Sequence, residues 1–168
     1  MARTRMAATA LFCATAAAAG ADEPPAIEHQ PSACTVPGKR ISLCASVTDE
    51  TQVASVRAYF KARGDKYYSF VDMVFGGLSY CGTLPAPREK TTAVEYYVQA
   101  VDDQYQPQRT STHVMQVQPE GVCEFPPVVK EGEAAAAITV HATNRKQGRR
   151  LSKAFDDTGV SFAGIAAP

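Results

Sequence analysis

Apolar and polar positions alternate through much of residues 26–117, and a period of two predicts strands. The clearest run is Thr91–Asp103. Val94, Tyr96, Val98 and Ala100 fall on one face of an extended chain, and Glu95, Tyr97 and Gln99 on the other. This half-buried strand is the one around which the rest can pack. Tyr96 stands near its start on the buried face, where an aromatic with a polar tip can pin the turn before it.

The same alternation recurs upstream. In 40–47, Ile41, Leu43, Ala45 and Val47 face inward, and Arg40, Ser42, Cys44 and Ser46 outward. In 53–61, Ala54, Val56, Ala58 and Phe60 oppose Ser55, Arg57, Tyr59 and Lys61. Residues 67–75 are apolar on both faces, so their orientation stays open. In 78–84, Leu78, Tyr80, Gly82 and Leu84 are expected inward. Short strands over 26–30 and 110–117 complete the set. Val36-Pro37-Gly38-Lys39, Ala62-Arg63-Gly64-Asp65-Lys66 and Gly76-Gly77 are turns, since proline presets one dihedral and glycine supplies the other. Pro85-Ala86-Pro87 ends a strand because proline cannot donate to a ladder.

About seven short strands with regular turn signals predict an all-β sandwich. Residues 53–103 resemble the immunoglobulin-like and fibronectin type III-like modules of bacterial exported proteins. The likeness is carried by Val53-Ala-Ser-Val-Arg-Ala-Tyr-Phe60, Leu84-Pro85 and Val94-Glu-Tyr-Tyr-Val-Gln-Ala-Val-Asp102. It implies an Ig-like antiparallel sandwich and bears little on function, because that architecture hosts many functions. The chain departs from antibody-type domains in having no Trp and in placing Val98 where a second core cysteine would stand.

Arg3 and Arg5, the uncharged run Met6–Ala19 and the A-x-A site Ala19-Gly20-Ala21 follow the plan of a secretory signal peptide, with cleavage expected after Ala21. The expected organisation is therefore a signal peptide (1–21), a sandwich domain (22–123), and a linker with a poorly ordered C-terminal tail (124–168), in which 136–143 has the pattern of a lone strand. The chain carries 17 basic and 17 acidic residues, and loss of the two leader arginines takes the formal charge to −2. No basic patch recommends nucleic acid, and no run is long enough to span a bilayer. Of five cysteines, Cys13 lies in the leader; Cys34, Cys44, Cys81 and Cys123 remain, an even number that points to two disulfides in a periplasmic or extracellular protein. The Ig-like strand order implies Cys44–Cys81 and Cys34–Cys123.

Little catalytic chemistry is legible. His29, His113 and His141 have no nucleophile or acid at a telling spacing, and the Gly-x-Ser-x-Gly, His-Glu-x-x-His, P-loop and dinucleotide patterns are all missing. The leading expectation is a non-enzymatic exported module with a structural or protein-binding role. A carbohydrate-binding module comes second and an enzyme third. Three features bear on partners. Asp49, Glu50, Asp102 and Asp103 fall in loops expected at one end of the sandwich, where they either share a calcium ion or serve their own turns. Tyr59 and Tyr97 have outward parity on neighbouring strands, flanked by Arg57, Glu95 and Gln99; they form a binding face, or a cross-strand pair that only steadies the sheet, or a surface covered by the tail. The basic stretch 144–153 is a solvated turn or a docking segment for an anionic polymer outside the cell.

Overall fold

The computed structural model describes residues 23–129, 136–147 and 150–165. The expected leader and its cleavage site lie outside the described residues.

Twelve strands among the described residues form two sheets. The smaller runs in the order β1 (Ala26–Glu28), β3 (Ile41–Thr48), β7 (Tyr80–Leu84), β6 (Val74–Phe75). The larger runs β12 (Val160–Ala163), β11 (Ile138–Ala142), β5 (Ser69–Asp72), β4 (Val53–Ala62), β8 (Ala93–Asp102), β10 (His113–Val117), β2 (Cys34–Thr35), with β9 (Pro107–Arg109) folded back on β8. The fold is thus all-β and sandwich-like, as the alternation predicts.

β8 is an interior strand of the large sheet. It pairs antiparallel with β4 over its whole length and with β10 on the other side. Its inward residues Val94, Tyr96, Val98 and Ala100 are fully buried and meet Ile41, Leu43, Ala45 and Leu84 of the small sheet in one apolar core. Burial of a large apolar side chain contributes about 1.5–3 kcal/mol each, which is what holds the two sheets together.

Three local expectations are corrected. Ala54 is exposed rather than inward, because β4 inserts one extra residue against β8 between Val53 and Ser55. Leu78 is 91% exposed. It sits in the tight turn closed by the Gly76 N–H to Ser79 O bond (2.8 Å), so inward alternation begins at Tyr80, which packs part-buried against the core, and continues through Gly82 and Leu84. Residues 67–75 are two strands in different sheets. β5 belongs to the large sheet and β6 to the small one, and the chain crosses at Met73, whose N–H bonds Val56 O (2.8 Å).

The stretch placed in a linker and poorly ordered tail contributes two strands. β11 pairs antiparallel with β5, and β12 lies parallel beside β11. Between them, Phe155 turns into the core and meets Phe60 edge-on at 5.2 Å. Its segment is tied to the loop before β8: Arg88 N–H and the Thr91 hydroxyl both donate to Ala154 O (2.8 and 2.6 Å).

Disulfides join Cys44 to Cys81 and Cys34 to Cys123, with Cα separations of 4.2 and 5.8 Å. Cys44 and Cys81 are direct partners across β3 and β7. Cys34 sits on β2, which runs parallel to β10, so the chain leaving β10 reaches back to it at Cys123. Tyr96 is buried with its polar tip engaged, but it ties down the β1–β2 connection rather than the turn before its own strand. Its ring is buried in the core while its hydroxyl donates to His29 Nε2 (2.9 Å) and accepts the Ser32 backbone N–H, pinning the β1–β2 connection to β8.

Candidate functional site

The outer face of the large sheet carries the densest set of polar-tipped aromatics. β4 and β8 are in register so that Tyr59 opposes Tyr97, Arg57 opposes Gln99 and Lys61 opposes Glu95. The two tyrosine rings stack at 4.7 Å with 6° between their planes. The row continues on both sides. Phe70 of β5 lies 5.2 Å from Tyr59, and His141 of β11 stacks on Phe70 at 4.8 Å. On the other flank Arg109 of β9 lies over Tyr97 at 5.0 Å, while Tyr68 meets Tyr97 edge-on at 5.2 Å.

Cations and carboxylates interleave with the rings. Arg57 covers Phe70 at 4.7 Å and donates to Asp72 at 3.1 Å. His141 Nε2 lies 3.5 Å from the other Asp72 oxygen. Glu95 binds Lys61 at 3.2 Å and Arg63 at 3.7 Å. Burial pushes the Tyr97 hydroxyl above its ordinary value, the neighbouring Tyr59 adds to this, and Arg109 works against it. Tyr97 therefore stays neutral and able to donate across the ordinary pH range.

Tyr59, Tyr97, Arg57, Glu95 and Gln99 are thus brought together on one face, as parity predicts. Among the described residues of the tail, β11 extends the same sheet at its side instead of lying over that face. Phe70, Tyr68, Arg109 and His141 also belong to the row and escaped sequence reasoning. Phe70 and Tyr68 were hidden in a run apolar on both faces, and His141 in a segment whose pairing partner is β5, far away in the chain.

The four acidic residues are not brought together as a cation site. Their loops do meet at one end: the Thr51 hydroxyl lies 2.9 Å from Asp49 Oδ1 and 2.8 Å from Asp103 Oδ1. The Asp102 side chain, however, is fully buried and accepts the Gln106 N–H at 2.7 Å. Asp49 accepts the Thr51 N–H at 2.9 Å. Both carboxylates thus serve their own turns. Among the described residues, no group of three or more His, Cys, Asp or Glu side chains is placed to hold a metal ion. Of the two expectations for Asp49, Glu50, Asp102 and Asp103, the hydrogen bonds of Asp49 and Asp102 favour service to their own turns over a shared calcium ion.

The other histidines lie elsewhere. His29 Nδ1 bonds Cys44 O at 2.8 Å, and its ring centroid is 5.4 Å from that of His113. Desolvation, and secondarily the His29 imidazole, hold His113 below the usual histidine range.

The chain matches no protein-family model and no curated protein. Among solved structures it is similar to the SrpA adhesin from Streptococcus sanguinis, with 17% sequence identity and a TM-score of 0.38 over 60% of each chain. The matched region spans about three fifths of that structure's length. A likeness of that size bears on neither activity nor ligand.

Proposed function

We propose that the chain is a non-enzymatic, exported Ig-like module that binds another protein in the cell envelope or extracellular space through the outer face of its large sheet. The observation that carries this reading is the pre-stacked Tyr59–Tyr97 pair, flanked on one side by Phe70, which Arg57 covers, and on the other by Arg109. Tyrosine and arginine dominate binding energy at protein interfaces, and here their rotamers are fixed by neighbours before any partner arrives. Asp72 and Glu95 are already paired with Arg57, Lys61 and Arg63, so a partner meets no unpaired carboxylate beside the rings. Export is supported by the two disulfides, which persist in oxidising compartments.

A carbohydrate platform finds less support on this face. A sugar ring stacks on an open aromatic face, but Tyr59 lies between Tyr97 and Phe70, and Tyr97 between Tyr59 and Arg109. What the pair offers outward is ring edges and hydroxyls, which suit the polar groups and backbone of a protein.

The test is a photo-crosslinking amino acid placed at Gln99, in the middle of the row, in cells that export the protein. A discrete adduct is expected, and it disappears when Tyr59→Ala and Tyr97→Ala are added to a variant that still folds. No adduct at position 99, or one indifferent to the double change, overturns the assignment of this face.

A further inference from the structure

The chain is close to neutral overall, yet its charge is divided between the two ends of the sandwich. At the end formed by residues 48–52 and 103–106 there is no Lys or Arg, and Glu23, Asp49 and Glu50 line one hollow. At the opposite end, the loops after β4 and before β8 and the segment between β11 and β12 carry Arg63, Lys66, Arg88, Lys90, Arg150 and Lys153.

Two cavities open at this basic end. One of about 830 Å³ is lined by Arg63, Arg88, Lys90 and Lys153. The other, about 530 Å³, is lined by Arg88, Lys153 and Arg150. They share Arg88 and Lys153, so together they make one track across the end of the molecule.

Most acids along the track are already engaged. Asp65 accepts the Ala62 N–H at 3.3 Å, Asp157 pairs with Arg88 at 3.1 Å, and Asp156 accepts from Thr158. Lys90, Arg150 and Lys153, in contrast, make no ion pair among the described residues. Their positions are not accidental products of loose loops. The bonds from Arg88 and Thr91 to Ala154 O, and from Arg88 Nε to Phe155 O (2.9 Å), clamp the two loops that carry them. Arg88 is spent on this clamp, which leaves Lys90, Arg150 and Lys153 as the charges free to meet a ligand.

We infer that this clamped basic track is a second binding site, for an extended acidic polysaccharide bearing carboxylate or sulfate groups. The track is a concave run with ammonium and guanidinium groups spaced along it, which suits a chain of regularly placed anions. Thr91, Thr92 and Glu89 in the same lining supply partners for sugar hydroxyls. The acidic opposite end orients the molecule, since a charge-divided protein is steered basic end first toward a polyanion. The track adjoins the outer sheet face at Arg63, but Lys90 and Lys153 lie off that face, so either site can fail without the other.

The experiment is calorimetric titration of the purified protein with dextran sulfate and with oligogalacturonate, using unmodified dextran as the neutral comparison. At least one anionic polymer is expected to bind and dextran not to. Raising the salt from 0.1 to 1 M shortens electrostatic range from about 10 to about 3 Å and should abolish binding. The Lys90→Gln, Lys153→Gln double variant should lose about tenfold or more in affinity. The charge-matched double Arg57→Gln, Arg109→Gln, on the other face, should lose less than about twofold. Absence of binding to both anionic polymers, equal binding of dextran, or equal losses in the two doubles overturns the inference. Salt-sensitive self-association without polymer binding overturns it too, and would assign the divided charge to end-to-end contact between copies.

Discussion

Replacing Phe155 with alanine separates a packed C-terminal segment from an appended tail. Phe155 is 2% exposed and edge-on to Phe60 at 5.2 Å, inside the cluster that holds the sheets together. Truncating a buried Phe to Ala costs about 3–5 kcal/mol, the transfer term plus the cavity left behind. The lower part of that range is expected, because Phe155 is carried on a connecting segment that can relax inward more readily than a strand. Against a total stability of about 5–15 kcal/mol, even 3 kcal/mol is a large fraction. For a domain of this size it lowers the melting temperature by about 6–12 °C. Urea unfolding with the disulfides intact, followed by tyrosine fluorescence, measures it. The denaturant slope should stay constant, since the surface exposed on unfolding barely changes. Phe125→Ala serves as the control: that ring is 79% exposed and its loss should fall within about 0.5 kcal/mol. A Phe155→Ala cost below about 1 kcal/mol would refute the anchoring, because that is what an exposed residue on a loose tail would give.

Two further outcomes follow from the site geometry. The folded state holds His113 below the usual histidine value of 6.5, first through desolvation and then through His29. The unfolded chain therefore binds this proton more readily, so the stability contribution is fully present above pH 6.5 and is lost as the pH falls through the folded value. His113→Gln should flatten that part of a stability-against-pH curve, and an unchanged slope would contradict the assignment. Removing disulfides one at a time should rank them by loop length. The separations of 37 and 89 residues give about 3.8 kcal/mol for Cys44–Cys81 and about 4.6 kcal/mol for Cys34–Cys123 in the chain-entropy model, and the reverse order in denaturation of the paired Cys→Ala variants would point to native-state effects instead.

Where the two faces of a strand differ in polarity, the sequence was enough. β3 and β8 each bury one face, so a slip of one residue would expose the whole apolar set, and parity alone assigns inside and outside. The Tyr59–Tyr97 pair and the Cys44–Cys81 bridge both descend from that parity plus the order of strands. The failures have physical causes. β4 carries a bulge, and an extra residue breaks parity without any mark in composition. Residues 67–75 are apolar on both faces because they serve two sheets: Phe70 joins the outer aromatic row, Val71 and Met73 fill the core, and Val74 and Phe75 remain exposed. Alternation has no single inside to report in such a stretch.

The acidic loops show how far parity reaches when it is followed to the strand's end. Asp102 shares its face with Val98 and Ala100, so the alternation that buries those two also turns its carboxylate inward. A side chain on that face cannot join Asp49 and Asp103 at the surface, and its only recourse is a local donor, which Gln106 N–H supplies. Followed to its end, the same parity explains why the Asp102 carboxylate stands apart from Asp49 and Asp103. The C-terminal strand is the opposite case. Ile138, Val140 and Ala142 alternate as plainly as any other run, but what makes the strand count is its partner β5, some seventy residues earlier. Periodicity identifies a strand and its buried face; it does not say which edge receives it. His141 depends on that pairing, and Phe155 and the basic track on the equally distant bonds of residues 154–155 to Arg88 and Thr91, so all three became visible only with the fold.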